Sequence, residues 1–319
     1  MYSPALAPLA LDAALGTADA LSDPLAWLSV SLFLVGAIVA WRGHRTHAVS
    51  ITGLAWGLFA LFWLTMVPYF HLDAQSPLQT VLSAAAVPLS LYAGYLLVEG
   101  RHQLLTLSKA VGIMGLIYLP ALLIQPVEQW LIEIVAIQSH WGMELLGYSP
   151  GVEEGLNGYE SRFAFEGPST YIVLACTGIG SISIFGGLIA AVRAPLRRKL
   201  AGFVVAASII WVLNLARNVF VGLATPLDWF HYDPLIAVSG VLAPGTDPSF
   251  FVSHTLIAQT LSVVALIGIT LLVVRIVPEI LDVLEEVLYV ATGSEYDLYD
   301  ALDVEPTVAG PARTDGGER

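Results

Sequence analysis

The chain has 319 residues, 56% of them hydrophobic and only 12% charged, about half the charge density of an ordinary soluble domain. Its 26 acidic residues against 13 basic ones exclude a basic nucleic-acid footprint, and a mean hydropathy of +0.75 excludes bulk water as the solvent for most of the surface. Lys109 and Lys199 are the only lysines, and acidic, lysine-poor solvent-facing segments suit work in high salt. A single cysteine, Cys176, excludes an internal disulfide and a cysteine-based metal cluster.

The first segment, residues 1–24, carries Asp12, Asp19 and Asp23 without a basic n-region. It reads as an extracellular surface segment rather than a cleavable signal peptide. Seven apolar runs then suit membrane helices: Leu25–Trp41, Ala48–Phe70, Leu78–Val98, Ala110–Ile124, Thr170–Val192, Leu200–Ala224 and Phe251–Val277. The fold class is thus an all-α integral membrane protein of about seven transmembrane helices, with a membrane domain over 25–277. The fourth run continues through Gln125–Gln138, whose Pro126, Glu128 and Glu133 predict a kinked amphipathic extension. Residues 139–169 predict a long outer loop, and 278–319 an acidic tail, amphipathic at first and disordered at its Gly-rich end.

Basic residues orient the spans. Arg42, Arg45, Arg101, Lys109, Arg193, Arg197, Arg198, Lys199 and Arg275 all fall on one side of a seven-span alternation, whereas the opposite loops hold only Arg162. The N-terminus is therefore expected outside, and the C-terminal tail in the cytoplasm.

Ionisable groups inside spans are costly and mark function by default. Arg217 and His254 qualify, and Cys176 joins them by depth. Cys176 stands 17 residues before Arg193, Arg217 stands 18 after Lys199, and His254 stands 21 before Arg275. At about 1.5 Å per residue these are heights of roughly 26, 27 and 32 Å, near the outer interface in each case. On a helix, Cys176 would share a face with Ile179, Gly180 and Ser183, where the small Gly180 and Ser183 admit a neighbouring backbone. Asn214, Arg217 and Asn218 share a face of the next span, where two amides can orient the guanidinium or add oxyanion donors.

The set suits cleavage of an amide by a thiol. Arg217 would stabilise the thiolate or an oxyanion, and His254 would pass the proton to the leaving amine. Each residue also has a plainer reading: Cys176 as a small buried hydrophobe, Arg217 as a snorkelling cation, His254 as an interfacial or pore-lining residue. The thiol chemistry needs no cofactor. A metal site at His231, Asp228 and Asp233 matches no strong ligand pattern, so those residues read as solvated.

The Ala175-Cys176-Thr177-Gly178-Ile179 motif, an Arg late in the next span and a His opening the one after resemble the exosortase/archaeosortase family, most of all its haloarchaeal archaeosortase A branch. The likeness covers roughly residues 27–277. It implies a multi-pass transpeptidase of the cell membrane with an extracellular active site. Its substrates would be exported proteins with a C-terminal Pro-Gly-Phe-type signal before a transmembrane helix, such as an S-layer glycoprotein. Cys176 would form the acyl-thioester, Arg217 would donate a proton, His254 would stabilise the transition state or act in acid–base transfer, and Thr177 belongs to the motif. The acyl acceptor would be a membrane lipid. Some members of the branch carry Arg where this chain has His254. The other readings are an intramembrane thiol protease without lipid transfer, and a transporter using Arg217 and His254 in a polar pathway.

Overall fold

A computed structural model describes residues 6–73 and 77–305. The helices α1 (Leu6–Trp41), α2 (Arg45–Pro68), α3 (Pro77–Val98) and α4 (Leu104–Leu123) come first, with a π-helical turn at Tyr69–Asp73 after α2. Next are α5 (Gln125–Leu145) and three short strands, β1 (Gly151–Glu154), β2 (Glu160–Ala164) and β3 (Thr170–Tyr171). A 3₁₀ turn at Leu174–Thr177 leads into α6 (Ile179–Ala191) and then α7 (Leu196–Ala224). After α8 (Asp233–Leu242) and the single turn α9 (Pro248–Phe250), a π-helical segment Phe251–Ala258 runs into α10 (Gln259–Ile276). The described chain closes with α11 (Leu281–Thr292) and α12 (Leu298–Ala301).

Six described helices are long and apolar enough to cross a membrane: Ala20–Trp41, Arg45–Leu72, Gln79–Val98, Leu104–Leu123, Leu196–Ala224 and Pro248–Ile276. Several of their hydroxyls bond back to the preceding turn, as Ser29 does to the Leu25 carbonyl and Ser262 to that of Ala258, both at 2.7 Å. Such bonds satisfy polar groups that lipid cannot.

Four readings of the sequence change here. The chain is helical from Leu6, continuous with the first span, where a surface segment was expected up to residue 24; residues 1–5 lie outside the description. The kinked extension is a separate helix: Ile124 is extended (φ −106°, ψ 97°) and Pro126 sits in the first turn of α5, because a proline has no N–H for a helical bond and its ring would clash with the carbonyl four residues back. The expected loop at 139–169 completes α5 and forms an antiparallel sheet in the order β1-β2-β3. Finally, Thr170–Val192 is not one helix, since its regular part, α6, has 13 residues and rises only about 20 Å.

By packing, the chain divides into two compact units. The first holds the chain through Leu116, Gly187–Lys199 and the chain from Val274. Here α1, α2 and α3 pack in sequence. A side chain at Gly36 would strike Thr52, and one at Gly115 would strike Val30, so small residues let these helices approach closely. Trp56 packs edge-on against the fully buried Phe33 at 5.0 Å, and its indole N–H donates to Ser108 Oγ at 2.9 Å. The acidic segment folds onto basic residues of this unit. Arg101 donates to Glu286 at 2.6 Å and to Glu295 at 2.7 Å, and its guanidinium lies 3.4 Å from the Tyr289 ring centre. The two carboxylates hold the Arg101 proton more tightly than usual. Arg198 pairs with Glu279 and donates to the Ile276 carbonyl. The end of the acidic tail, 306–319, lies outside the described residues.

The second unit, Ile117–Gly186 and Leu200–Val273, contains Cys176, Arg217 and His254. Its core gathers Leu131, Ile132, Val135 and Met143 of α5 with Phe163 of β2, Ile172, Leu174 and Leu223 of α7. Gly142 and Gly222 leave room for Val219 and Met143 at the α5–α7 contact.

Candidate active site

The segment that presents Cys176 is built outward from the sheet. Asn157 lies in the turn between β1 and β2, where the Asn157-Gly158 pair favours a tight reversal and Gly158 takes φ +75°. Its Nδ2 donates to the Ile172 carbonyl at 3.1 Å, and its Oδ1 accepts from Ser161 Oγ at 2.9 Å. Tyr159 donates to Glu128 of α5 at 3.3 Å; burial, and secondarily the Glu128 charge, raises its pKa and keeps the phenol protonated. The extended segment from β3 to Val173 is thereby fixed to the hairpin, and the hairpin to α5.

From Val173 the chain turns. The Cys176 amide donates to the Val173 carbonyl at 2.8 Å, and the buried Thr177 hydroxyl donates to the Leu174 carbonyl at 2.7 Å. Gly178 then takes φ +78°, a left-handed conformation that separates the 3₁₀ turn from α6. The expected helical face of Cys176 with Ile179, Gly180 and Ser183 is therefore not formed, and the height count along one helix does not reach the cysteine.

Two amides of α7 close on this turn. Asn214 Nδ2 and Asn218 Nδ2 both donate to the Cys176 carbonyl oxygen, at 2.5 and 2.8 Å. One oxygen with two lone pairs accommodates both. With its N–H and C=O both engaged, Cys176 keeps only its half-exposed thiol side chain free to turn. Buried Asn218 also accepts from Arg217 Nη1 at 3.4 Å, a weak contact that nonetheless fixes the amide orientation: oxygen toward the guanidinium, nitrogen toward the cysteine carbonyl. The expected one-face arrangement of Asn214, Arg217 and Asn218 is present, with the amides tied chiefly to the cysteine turn.

His254 lies within the π-helical segment, where the Gln259 amide bonds back to its carbonyl one residue beyond the α-helical register. Such segments are rare and recur at functional sites. The half-buried ring stacks on Phe250 at 4.7 Å and 9°. The structure thus joins Cys176 to Arg217 through Asn218, and places His254 in the same compact unit.

Asn157, Phe250 and the Gln138–Trp211 hydrogen bond (2.9 Å) were not singled out by sequence. The Asn157-Gly158 turn dipeptide was the one available signal for them. Beside the site, Gln138, Trp141, Gly142, Leu145, Leu215 and Ala216 line an open apolar groove between α5 and α7. As for metals, Asp228, His231 and Asp247 bring one ligand atom each within 4.8 Å of one another, while Asp233 opens α8 instead. Two of the three are exposed, and Asp247 already caps α9 by accepting from the Phe250 amide, so the group reads as a solvated cluster.

Gly178 carries a prediction. A Cβ there would lie 3.3 Å from Asn214 Cγ on backbone that L-residues avoid. Gly178→Ala is expected to cost about 1–2 kcal/mol and to lower the thermal midpoint in detergent. An unchanged midpoint with parental processing would remove Gly178 from the site.

Residues 22–242 match the family described as Transmembrane exosortase (Exosortase_EpsH). The chain belongs to that family. It is therefore a multi-pass membrane protein, and the matched range includes Cys176, Asn214, Arg217 and Asn218 but ends before His254. The chain is 43% identical over 304 residues to archaeosortase A of Haloferax volcanii, covering 89% of this chain and 99% of the relative. It is 42% identical over 303 residues to archaeosortase A of Natronomonas pharaonis, covering 89% and 95%. No solved structure matches.

Proposed function

We propose that this chain is a membrane thiol transpeptidase. It cuts a C-terminal Pro-Gly-Phe-type signal of exported proteins, an S-layer glycoprotein among them, and transfers the new C-terminus to a membrane lipid. The observation that carries the reading is the double hydrogen bond from Asn214 and Asn218 to the Cys176 carbonyl, which fixes the one thiol of the chain beside the α7 turn that bears Arg217.

The Cys176 thiol loses its proton to His254, and its sulfur attacks the scissile carbonyl. The Arg217 guanidinium faces the oxyanion that forms. Collapse breaks the C–N bond, and the leaving amine departs with the proton carried by His254, leaving an acyl-thioester on Cys176. A lipid nucleophile then attacks the thioester and returns the thiol. The groove between α5 and α7 supports lipid access, since it is apolar and Ala216 in its wall adjoins Arg217. A polar transport pathway is less well supported, because the α7 amides are committed to the cysteine turn.

In the same reading, α6 is a short seventh membrane segment. Residues 1–24 lie outside, 25–277 form the membrane catalytic domain with its site at the extracellular face, and 278–319 form the cytoplasmic tail. The Lys/Arg bias supports this orientation. So do the pairs of tail residues Glu279 and Glu286 with Arg198 and Arg101, both from the basic side of the spans. A membrane-impermeant thiol reagent on intact cells should label Cys176 and spare a cysteine placed in the tail; the reverse pattern overturns the orientation.

Mass spectrometry of the C-terminus of a candidate substrate, in cells with and without Cys176, tests the function. A lipid-modified, shortened C-terminus that depends on Cys176 is expected. A shortened C-terminus without lipid would make the enzyme a hydrolase, and an intact C-terminus in both strains would refute the reading.

A further inference from the structure

We infer that the open edge of β3 takes the substrate peptide as an added strand, hydrogen-bonded to the backbone of Tyr171 and Val173. The inference rests on the reading that a peptide is the substrate, and it adds where and how that peptide is held.

The register supplies the first argument. Phe163 pairs with Thr170 and Arg162 with Tyr171, and the Ile172 amide donates to the Ser161 carbonyl at 2.9 Å. In an antiparallel ladder, bonded and non-bonded pairs alternate. Arg162–Tyr171 is the non-bonded pair, so the N–H and C=O of Tyr171 point away from β2. Among the described residues neither group has a hydrogen-bond partner. Val173 continues the extended backbone (φ −116°, ψ 169°); its carbonyl serves the Cys176 turn, and its N–H has no described partner.

The two edges of the sheet differ. The β1 edge carries Glu153 and Glu154, charges of the kind that keep an edge from pairing. The β3 edge, Thr170-Tyr171-Ile172-Val173, carries no charge and no proline. Its continuity with the site then names the occupant. Val173 caps the turn that holds Cys176, so an extended peptide paired with Tyr171 and Val173 runs on toward the thiol. Main-chain pairing gives such a site affinity for any extended segment, and two or three edge residues match a short signal.

The test uses the full chain in nanodiscs with a synthetic peptide carrying the Pro-Gly-Phe signal and its following apolar segment. Binding is measured on Cys176→Ala, and turnover on the parental chain. In a scan of single backbone N-methylations, methylation of a residue whose N–H faces β3 is expected to weaken binding about five- to tenfold, with the adjacent residues close to unchanged. Tyr171→Pro removes an edge N–H outside the β2 ladder, so it should fold and show a similar loss, while Tyr171→Phe should bind like the parent. Equal tolerance of methylation at every residue, with parental turnover, overturns the edge site and leaves the transpeptidase reading standing. Failure of the unmodified peptide both to bind and to turn over overturns the two together.

Discussion

Cys176→Ala should abolish substrate processing, by on the order of a thousandfold or more, while the protein still inserts and folds. The structure separates these effects because what Cys176 gives the fold comes from its backbone. Its amide bonds to Val173 and its carbonyl to Asn214 and Asn218, and alanine keeps all three bonds. Only the half-exposed sulfur is lost. Cys176→Ser should be equally inactive, since a hydroxyl is far harder to ionise than a thiol. If Cys176 were a packing residue, the order would invert: alanine would be tolerated, with only a small loss of stability. Processing of a native substrate in cells expressing each variant decides the matter, and full processing by Cys176→Ala would sink the thiol mechanism.

Arg217→Lys should lose roughly a hundredfold in processing rate although the charge is conserved. A guanidinium offers a planar fork of donors, whereas an ammonium is a compact, strongly hydrated point charge. At this position the fork is oriented by Asn218, whose amide has its oxygen toward Arg217 and its nitrogen toward the Cys176 carbonyl. A lysine has three donors, but all radiate from one nitrogen, so it cannot span Asn218 and a developing oxyanion as the planar fork does. The rate of Cys176 alkylation as a function of pH, measured on the same variant, separates two roles. A parental alkylation profile with lost turnover assigns Arg217 to the oxyanion or leaving group. Parental turnover would reduce it to a general electrostatic influence.

Much of this site was legible in the sequence, for different reasons at each residue. An arginine and two asparagines in an apolar span are costly unless they meet partners, and the helical spacing of 214, 217 and 218 already put them on one face. The two asparagines meet the Cys176 carbonyl and Arg217 meets Asn218; spacing within one helix cannot reveal the first of these. Cys176 itself was found in the wrong local structure. Hydropathy sees Thr170–Val192 as one apolar run, but the left-handed Gly178 interrupts it, and one glycine barely alters a hydropathy average. The sheet was missed because its strands have four, five and two residues, too short for a period-two pattern to stand out among Glu and Gly. His254 was expected near the start of the last span, and its π-helical setting depends on a backbone register that composition does not encode.

Arg101 gives the acidic tail a dependence on its medium that an ordinary surface ion pair would lack. In the concentrated salt that the composition suits, fields between exposed charges fade within about 3 Å. A tail held by diffuse attraction would detach there. The Arg101 hold on Glu286 combines two contacts, at 2.6 and 3.0 Å, within that screening distance, with the Tyr289 ring stacked beneath the guanidinium. The tail should therefore stay docked as brine is added and loosen only when contact geometry is broken, so this end of the molecule is fastened by shape more than by field.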